Sequence, residues 1–167
     1  MAKVLLISDK DVKIFTNLDG NIDPDFITPQ INAAQDIELE RILGTALLVK
    51  IQNEIDADTL AGVYEYLVDE YIKPCLSWYT VAYLIPFHAY NVDKKGLFKH
   101  QSETSVTPDK SEIDYLRSIA ESKGQFYGDR MKKYICANNS DYPEYSELEN
   151  GGRWSDKGWE SFGGINL

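Results

Sequence analysis

Four side chains of this 167-residue sequence are the first candidates for metal or nucleophilic chemistry: Cys75, Cys136, His88 and His100. Zinc requires thiolates or imidazoles clustered at short spacings, and these four are scattered. Cys75 and His88 share one helical stretch, yet at 100° per residue they sit about 220° apart, close to opposite faces. They are therefore not expected to pair as nucleophile and base. A di-iron bundle needs Glu-x-x-His pairs, and neither histidine has a glutamate three residues before it. The glycine patterns of phosphate-binding loops and of the hydrolase nucleophile elbow are absent. The expectation is a non-enzyme with no catalytic residue, no cofactor and no metal. Both cysteines lie among apolar neighbours and are expected to be buried, reduced thiols.

Charge narrows the partners. The formal net charge is −10, and between Asp23 and Asp58 the acids Asp25, Asp36, Glu38, Glu40, Glu54 and Asp56 face only Arg41 and Lys50. A general nucleic-acid binder carries a basic stripe that neutralises phosphates, so sequence-specific DNA binding is not expected. An acidic surface beside DNA repels the polymer and keeps it from sticking. Eleven tyrosines lean towards protein partners, since a tyrosine suits a site with one end of its ring buried and the other wet. The N-terminal MAKVLLISDKD is too short in its apolar run for a secretory signal. Cys75 to Ala89 is too short to span a bilayer, so a soluble protein made in the cytoplasm is expected.

The elements that would position these residues are mainly helical. Ser8 is a candidate N-cap for a short helix through Val12 and Phe15, preceded by a strand or extended arm at Val4–Ile7. A second helix starts near Asp23 or Asp25 with Pro24 in its first turn and carries an apolar face of Phe26, Ile27, Ile31, Ala34, Ile37 and Ile42. Gly44 should stop it, and Thr45 should cap a third helix over Ala46 to Ile55. The organising stretch is Asp58 to Asn91. Its stripe of Leu60, Val63, Tyr64, Leu67, Tyr71, Cys75, Trp78, Ala82, Ile85 and Ala89 predicts a long helix capped by Asp58, with kinks or breaks at Pro74 and Pro86. Beyond Pro74, Leu76, Tyr79, Tyr83, Leu84 and Phe87 make it apolar nearly all round, so this half should be covered partly by other subunits.

Residues 91–107 break the period and read as a β-hairpin or extended loop projecting from the helical body. Thr107, Pro108 and Asp109 start a last helix to about Ala137, in which Gly124 and Gly128, one turn apart, predict close approach of another helix. From Ser146 the pattern ends. Residues 146–167 are rich in glycine and carry Trp154, Trp159 and Phe162, as in an arm that docks its rings on its own or a neighbouring subunit. The fold class is thus mainly α. We expect a small helical bundle with one long central helix over residues 1–145, a projecting hairpin or loop, and an extended C-terminal arm over 146–167.

Taken in order, Ser8–Leu48 with its Ala34-Gln35 pair and Ile42-Leu43-Gly44 corner, the YIKPCLSWY centre of the long helix, KKGLF at Lys94–Phe98 and the YPEY after the last helix resemble the head–tail connector (adaptor, or neck ring) proteins of tailed bacteriophages. The resemblance implies a structural virion protein whose copies, commonly twelve, form a ring below the portal. Such a ring extends the DNA channel and carries the next neck or tail component. Its partners would be itself, the portal and further neck or tail proteins, with DNA passing non-specifically and no membrane. On this reading the subunit and portal contacts fall on Leu76, Tyr79, Tyr83, Leu84 and Phe87 of the long helix, on Lys94, Lys95, Leu97 and Phe98 of the loop, and on Trp154, Trp159 and Phe162 of the arm. Asp36, Glu38 and Glu40 would face the channel. The alternatives are a non-viral helical adaptor that binds one partner helix through its tyrosine-rich surface, and an enzyme with an unrecognised site.

Overall fold

The computed structural model describes residues 4–18, 21–93, 96–99 and 109–145, with side chains described outside 88–99. Helix α1 is Asp9–Phe15, held by a capping box in which the Ser8 and Asp11 side chains each accept from the other's backbone. Ahead of it, Leu6 and Ile7 are buried with no strand partner. Their backbone is satisfied by one side chain instead. The Leu6 N–H donates to Gln35 Oε1 at 3.0 Å, and Gln35 Nε2 donates to the Val4 carbonyl at 3.0 Å. Gln35 is itself fully buried, so the extended arm is fastened to the next helix by an amide that mimics a strand neighbour.

Helix α2 (residues 24–43) runs as Pro24–Ala34, a π-helical turn Gln35–Leu39 and a closing α-turn Glu40–Leu43, with Asp23 as N-cap. The π turn has a readable cause. In an uninterrupted α-helix, Glu38 would fall about 20° from Ile27 and point into the core. The wider turn slips the register by about one residue, so that Leu39 is buried and Glu38 only half-buried. The same slip leaves Ile37 exposed, and Phe26 is also exposed; both had been expected on the apolar face.

Gly44, at φ 75°, closes α2 and serves as the N-cap of α3 (Thr45–Asp56). Thr45 is not the cap: its hydroxyl donates to Glu40 Oε1 at 2.9 Å. Nor does Asp58 cap the long helix. It takes φ 54° behind α3, a conformation that aspartate tolerates better than most residues.

The long helix α4 (residues 62–89) comprises Gly62–Leu67, a second π turn Val68–Ile72 and Lys73–Ala89, with Ala61 at its N-cap. The expected break at Pro74 does not occur. The widened turn just before it leaves room for the pyrrolidine ring, and the Lys73 N–H bonds back to the Val68 carbonyl. Pro86 does not break the helix either. α4 continues to Ala89 and passes directly into strand β1 (Tyr90–Asp93), which pairs antiparallel with β2 (Gly96–Lys99). Helix α5 (Lys110–Ala137) begins with a capping box between Asp109 and Glu112 and ends at Asn138, followed by a single 3-10 turn Asn139–Asp141.

The protein is thus mainly helical, and its described residues form a small bundle of five helices with α4 at its centre. α4 packs against α5 along its length, and α1 and α2 pack on it as well. α5 lies antiparallel to α4, with Tyr71 stacked on Tyr134 at 4.4 Å and Lys123 over Trp78 at 3.8 Å. Their approach depends on the two glycines. A Cβ on Gly124 would lie 2.9 Å from Tyr79 Cγ, and one on Gly128 would lie 2.9 Å from Ile42 Cδ1. Where the start of α4, the end of α5 and residues 138–145 meet, Tyr64, Tyr66, Tyr71, Tyr134 and Tyr142 form a connected aromatic cluster. Tyr142 is fully buried and donates to the Val63 carbonyl, and Tyr64 donates to Glu144.

Candidate functional site

Three recesses are built by these helices. The first is an open groove of about 440 Å³ between α4 and α5, lined by Trp78 from one side and by Ile119, Ser122, Lys123, Phe126 and Tyr127 from the other. α5 supplies its wall by helical spacing: Ile119, Ser122 and Phe126 recur on one face. The Lys123 ammonium covers the Trp78 ring at 3.8 Å, and Phe126 meets Tyr127 edge-on at 5.4 Å. Phe126 is 65 % exposed, a large ring facing outward beside a half-exposed tryptophan.

The second recess, of about 320 Å³, is polar and lined by Glu38, Arg41, Tyr79, Tyr83, Glu121 and Gln125. Arg41 pairs with Glu38 at 2.6 Å, and the Tyr83 hydroxyl donates to the other Glu38 oxygen at 3.1 Å. Burial pushes the Tyr79 phenol up to about 12 and raises Tyr83 as well, so both stay protonated at neutral pH. The network fastens the π turn of α2 to α4. It contains no unpaired base and no nucleophile beside one. The third recess, of about 660 Å³, lies between the N-terminal arm and the start of α4; Asp11 and Asp69 there both approach Lys73, at 3.8 and 2.6 Å.

Cys75 is buried and Cys136 exposed, which corrects the expectation that both thiols are inside. Burial pushes the Cys75 thiol up to about 12, and it donates to the Gly124 carbonyl at 3.5 Å. Among the described residues, no group of three or more His, Cys, Asp or Glu side chains is placed to hold a metal ion. Among them also, no helix is long and apolar enough to cross a membrane.

The expected contact residues divide. Leu76, Tyr79 and Leu84 are buried by this chain's own helices, so these three are covered without a neighbour. The π turn before Pro74 brings Leu76 and Tyr79 inward beside Cys75 and Ala82 of the expected stripe and leaves Trp78 half-exposed. Tyr83 is half-buried and Phe87 is exposed. Leu97 and Phe98 pair across the hairpin with Val92 and Asn91. Lys94, Lys95, Trp154, Trp159 and Phe162 lie outside the described residues, as does His100. Asp36 is exposed, Glu40 is half-buried, and Glu38 is held by Arg41 and Tyr83. The groove around Trp78 and Phe126 was not anticipated; its signal was the Ile119, Ser122, Phe126 spacing beside the two glycines.

A protein-family model matches residues 39–153. The chain belongs to DUF6712, a family of unknown function. The DUF6712 segment spans the end of α2, α3, the α4–α5 pair and the hairpin, and so contains every residue of the groove. α1 and most of α2 lie before it. No curated protein and no solved structure gives a significant match to the chain.

Proposed function

We propose that the chain is a structural subunit of a ring in the neck of a tailed-bacteriophage virion, seated below the portal and extending its DNA channel. The observation that carries this reading is two groups of exposed apolar side chains set apart along α4. One is at the hairpin end, where Phe87, Tyr115 and Leu116 are each more than half exposed. The other is on α1 and the first turn of α2, where Ile14 is 75 % exposed and Phe26 more than half. α5 packs against α4 through Cys75 and Tyr79, whereas α1 meets it at Lys73. Phe87 lies about 40° from Lys73 around the helix but about 21 Å along it at 1.5 Å per residue, so the two groups are separated along α4. A contact between unlike patches is head-to-tail, and repeated with a closing rotation it gives a ring.

The resemblance of the 8–145 segment to connector proteins supplies the place in the virion. The acidic surface supplies the fit to DNA, with Asp36 and Glu40 as candidate channel-facing charges; Glu38 is committed to Arg41 and Tyr83. Two substitutions test the arrangement. Ile14→Glu and Leu116→Glu should each stop assembly at the monomer, because each destroys one of two unlike patches. Mixed, the variants should form heterodimers through the one intact pair of patches, as read by native mass spectrometry. A mixture that stays monomeric, or either variant assembling like the parent, would refute head-to-tail assembly through these surfaces.

A further inference from the structure

The groove between α4 and α5 continues the exposed face at the hairpin end of the protomer. Lys123 lies about 20° from Leu116 around α5 and about 10 Å along it, and Phe126 lies about 20° from Tyr115, so the groove prolongs both rows of that face. Phe126, like Tyr115 and Leu116, is more than half exposed. The seven residues that line the groove include one cation, Lys123, and no carboxylate. The Lys123 ammonium rests on the Trp78 ring and forms no ion pair among the described residues. The other charges of α5 nearby are engaged or turned away. Arg117 pairs with Glu121 at 2.8 Å, Arg130 covers the Tyr71 ring at 4.8 Å, and Glu112 serves the helix cap. Asp129 lies about 120° from Lys123 around the helix.

A complementary feature stands at the tip formed by α1 and the first turn of α2. Lys13 donates to the Ile22 carbonyl at 3.0 Å, which ties the two helices together. Phe26 is more than half exposed at this tip, and Asp23 and Asp25 beside it are exposed as well. Asp23 accepts from the Asp25 N–H, and neither carboxylate forms an ion pair among the described residues. Of the two cations on α1, Lys13 is also paired with Asp9 at 3.5 Å, which leaves Lys10, one turn ahead of Ile14, against two carboxylates.

We propose that the groove seats a second copy of this chain: Phe26 of the neighbouring copy enters beside Trp78 and Phe126, and its Asp25 pairs with Lys123. The contact rests on the head-to-tail arrangement and adds its anchor, a ring from the tip of one protomer in the groove of the next. At about 440 Å³ the groove is of the size that encloses a small ligand, and a single ring on a helix tip is a knob of that scale. An aromatic anchor in a partly apolar pocket beside a cation is the kind of contact that dominates an interface. Copies of net charge −10 repel one another over most of their surface, so an acidic tip meeting a cation-lined groove also fixes which surfaces come together.

The test uses the heterodimer of Leu116→Glu, which keeps its tip, with Ile14→Glu, which keeps its groove, in the full chain. Phe26→Ala added to the first partner should weaken the heterodimer by about tenfold or more, since truncating a seated aromatic anchor costs at least that much. The Phe26 ring is exposed in the free protomer, so the fold should be unaffected, as read by circular dichroism. Asp25→Lys in the first partner, or Lys123→Glu in the second, should each weaken the heterodimer by about tenfold or more, and both together should restore it to within about threefold. A heterodimer indifferent to Phe26→Ala, or charge reversals that fail to rescue each other, would overturn the seat and leave head-to-tail assembly standing. No heterodimer between Leu116→Glu and Ile14→Glu would refute the head-to-tail contact itself, and the seat with it.

Discussion

Gly124→Ala and Gly128→Ala should have different outcomes, although both replace a glycine in the interior of the same helix. Each gains about 1 kcal/mol of helix propensity. Each also introduces a Cβ at 2.9 Å from a neighbour, closer than real contacts allow. What differs is the neighbour. At Gly128 it is Ile42 Cδ1, the free end of a side chain that can change rotamer. At Gly124 it is the root of the Tyr79 ring: Cγ at 2.9 Å, with Cδ1 and Cδ2 at 3.0 Å. That end of the ring cannot swing aside without shifting the α4 backbone, and Tyr79 is buried. Overpacking of this kind costs about 1–3 kcal/mol. Set against the propensity gain, Gly124→Ala should destabilise by up to roughly 2 kcal/mol, while Gly128→Ala, whose neighbour can move, should be at least as stable as the parent. Urea unfolding measures both, and a loss of about 2 kcal/mol corresponds to a melting shift of about 4–8 °C for a chain of this size. If Gly124→Ala were as stable as Gly128→Ala, the close packing of α5 on Tyr79 would be wrong.

Other expectations follow from the same contacts. Gln35→Leu removes both bonds that fasten the N-terminal arm, so stability should fall by roughly 2–4 kcal/mol and the Leu6 amide should exchange much faster by mass spectrometry; an unchanged Leu6 amide would contradict the tether. Leu67→Glu and Leu84→Glu should damage folding alike, since both side chains are buried within the protomer; circular dichroism melts showing a well-folded Leu84→Glu would restore the idea that α4's second half is covered by neighbours. The alkaline limb has a definite sign. The buried Cys75 thiol and Tyr79 phenol are both raised to about 12 when folded. Unfolded, they ionise lower, so their contribution is present at neutral pH and is lost as pH rises from about 9 towards 12. Unfolding free energy should be lower at the alkaline end of that window, and a rise there would refute the burial. At about pH 8 a thiol reagent should titrate Cys136 alone in the native protein and both cysteines after denaturation.

Much of the helical layout was legible because it rests on local chemistry. The Ser8 cap, Pro24 in the first turn, the Gly44 corner and the close approach at Gly124 and Gly128 each follow from what one side chain permits. The misread faces of the later part of α2 and of α4 share one cause. Stripes counted at 100° per residue assume an uninterrupted α-helix, and both α2 and α4 contain a π turn. The slip turned Leu39 inward and left Ile37 outside, and it brought Leu76 and Tyr79 inward beside Cys75 and Ala82 while leaving Trp78 half-exposed. No local residue announces a π turn in α2; it is imposed by the core and by the tethering of Gln35. Pro74 was a signal for the second, read as a break when the chain instead widens the turn before it. The tyrosines have a second role. Five of the eleven pack against each other where residues 138–145 close over α4, a long-range contact that composition cannot reveal. The groove needed the antiparallel pairing of α4 and α5, which brings Trp78 to Lys123 across 45 positions of sequence.

The most direct measurement of the central proposal is electron microscopy of the purified chain, alone and mixed with the proposed portal partner. The account predicts closed rings, formed either by the chain alone or on the portal, coaxial with the portal channel. A chain that stays monomeric in both preparations and leaves the portal bare would contradict it.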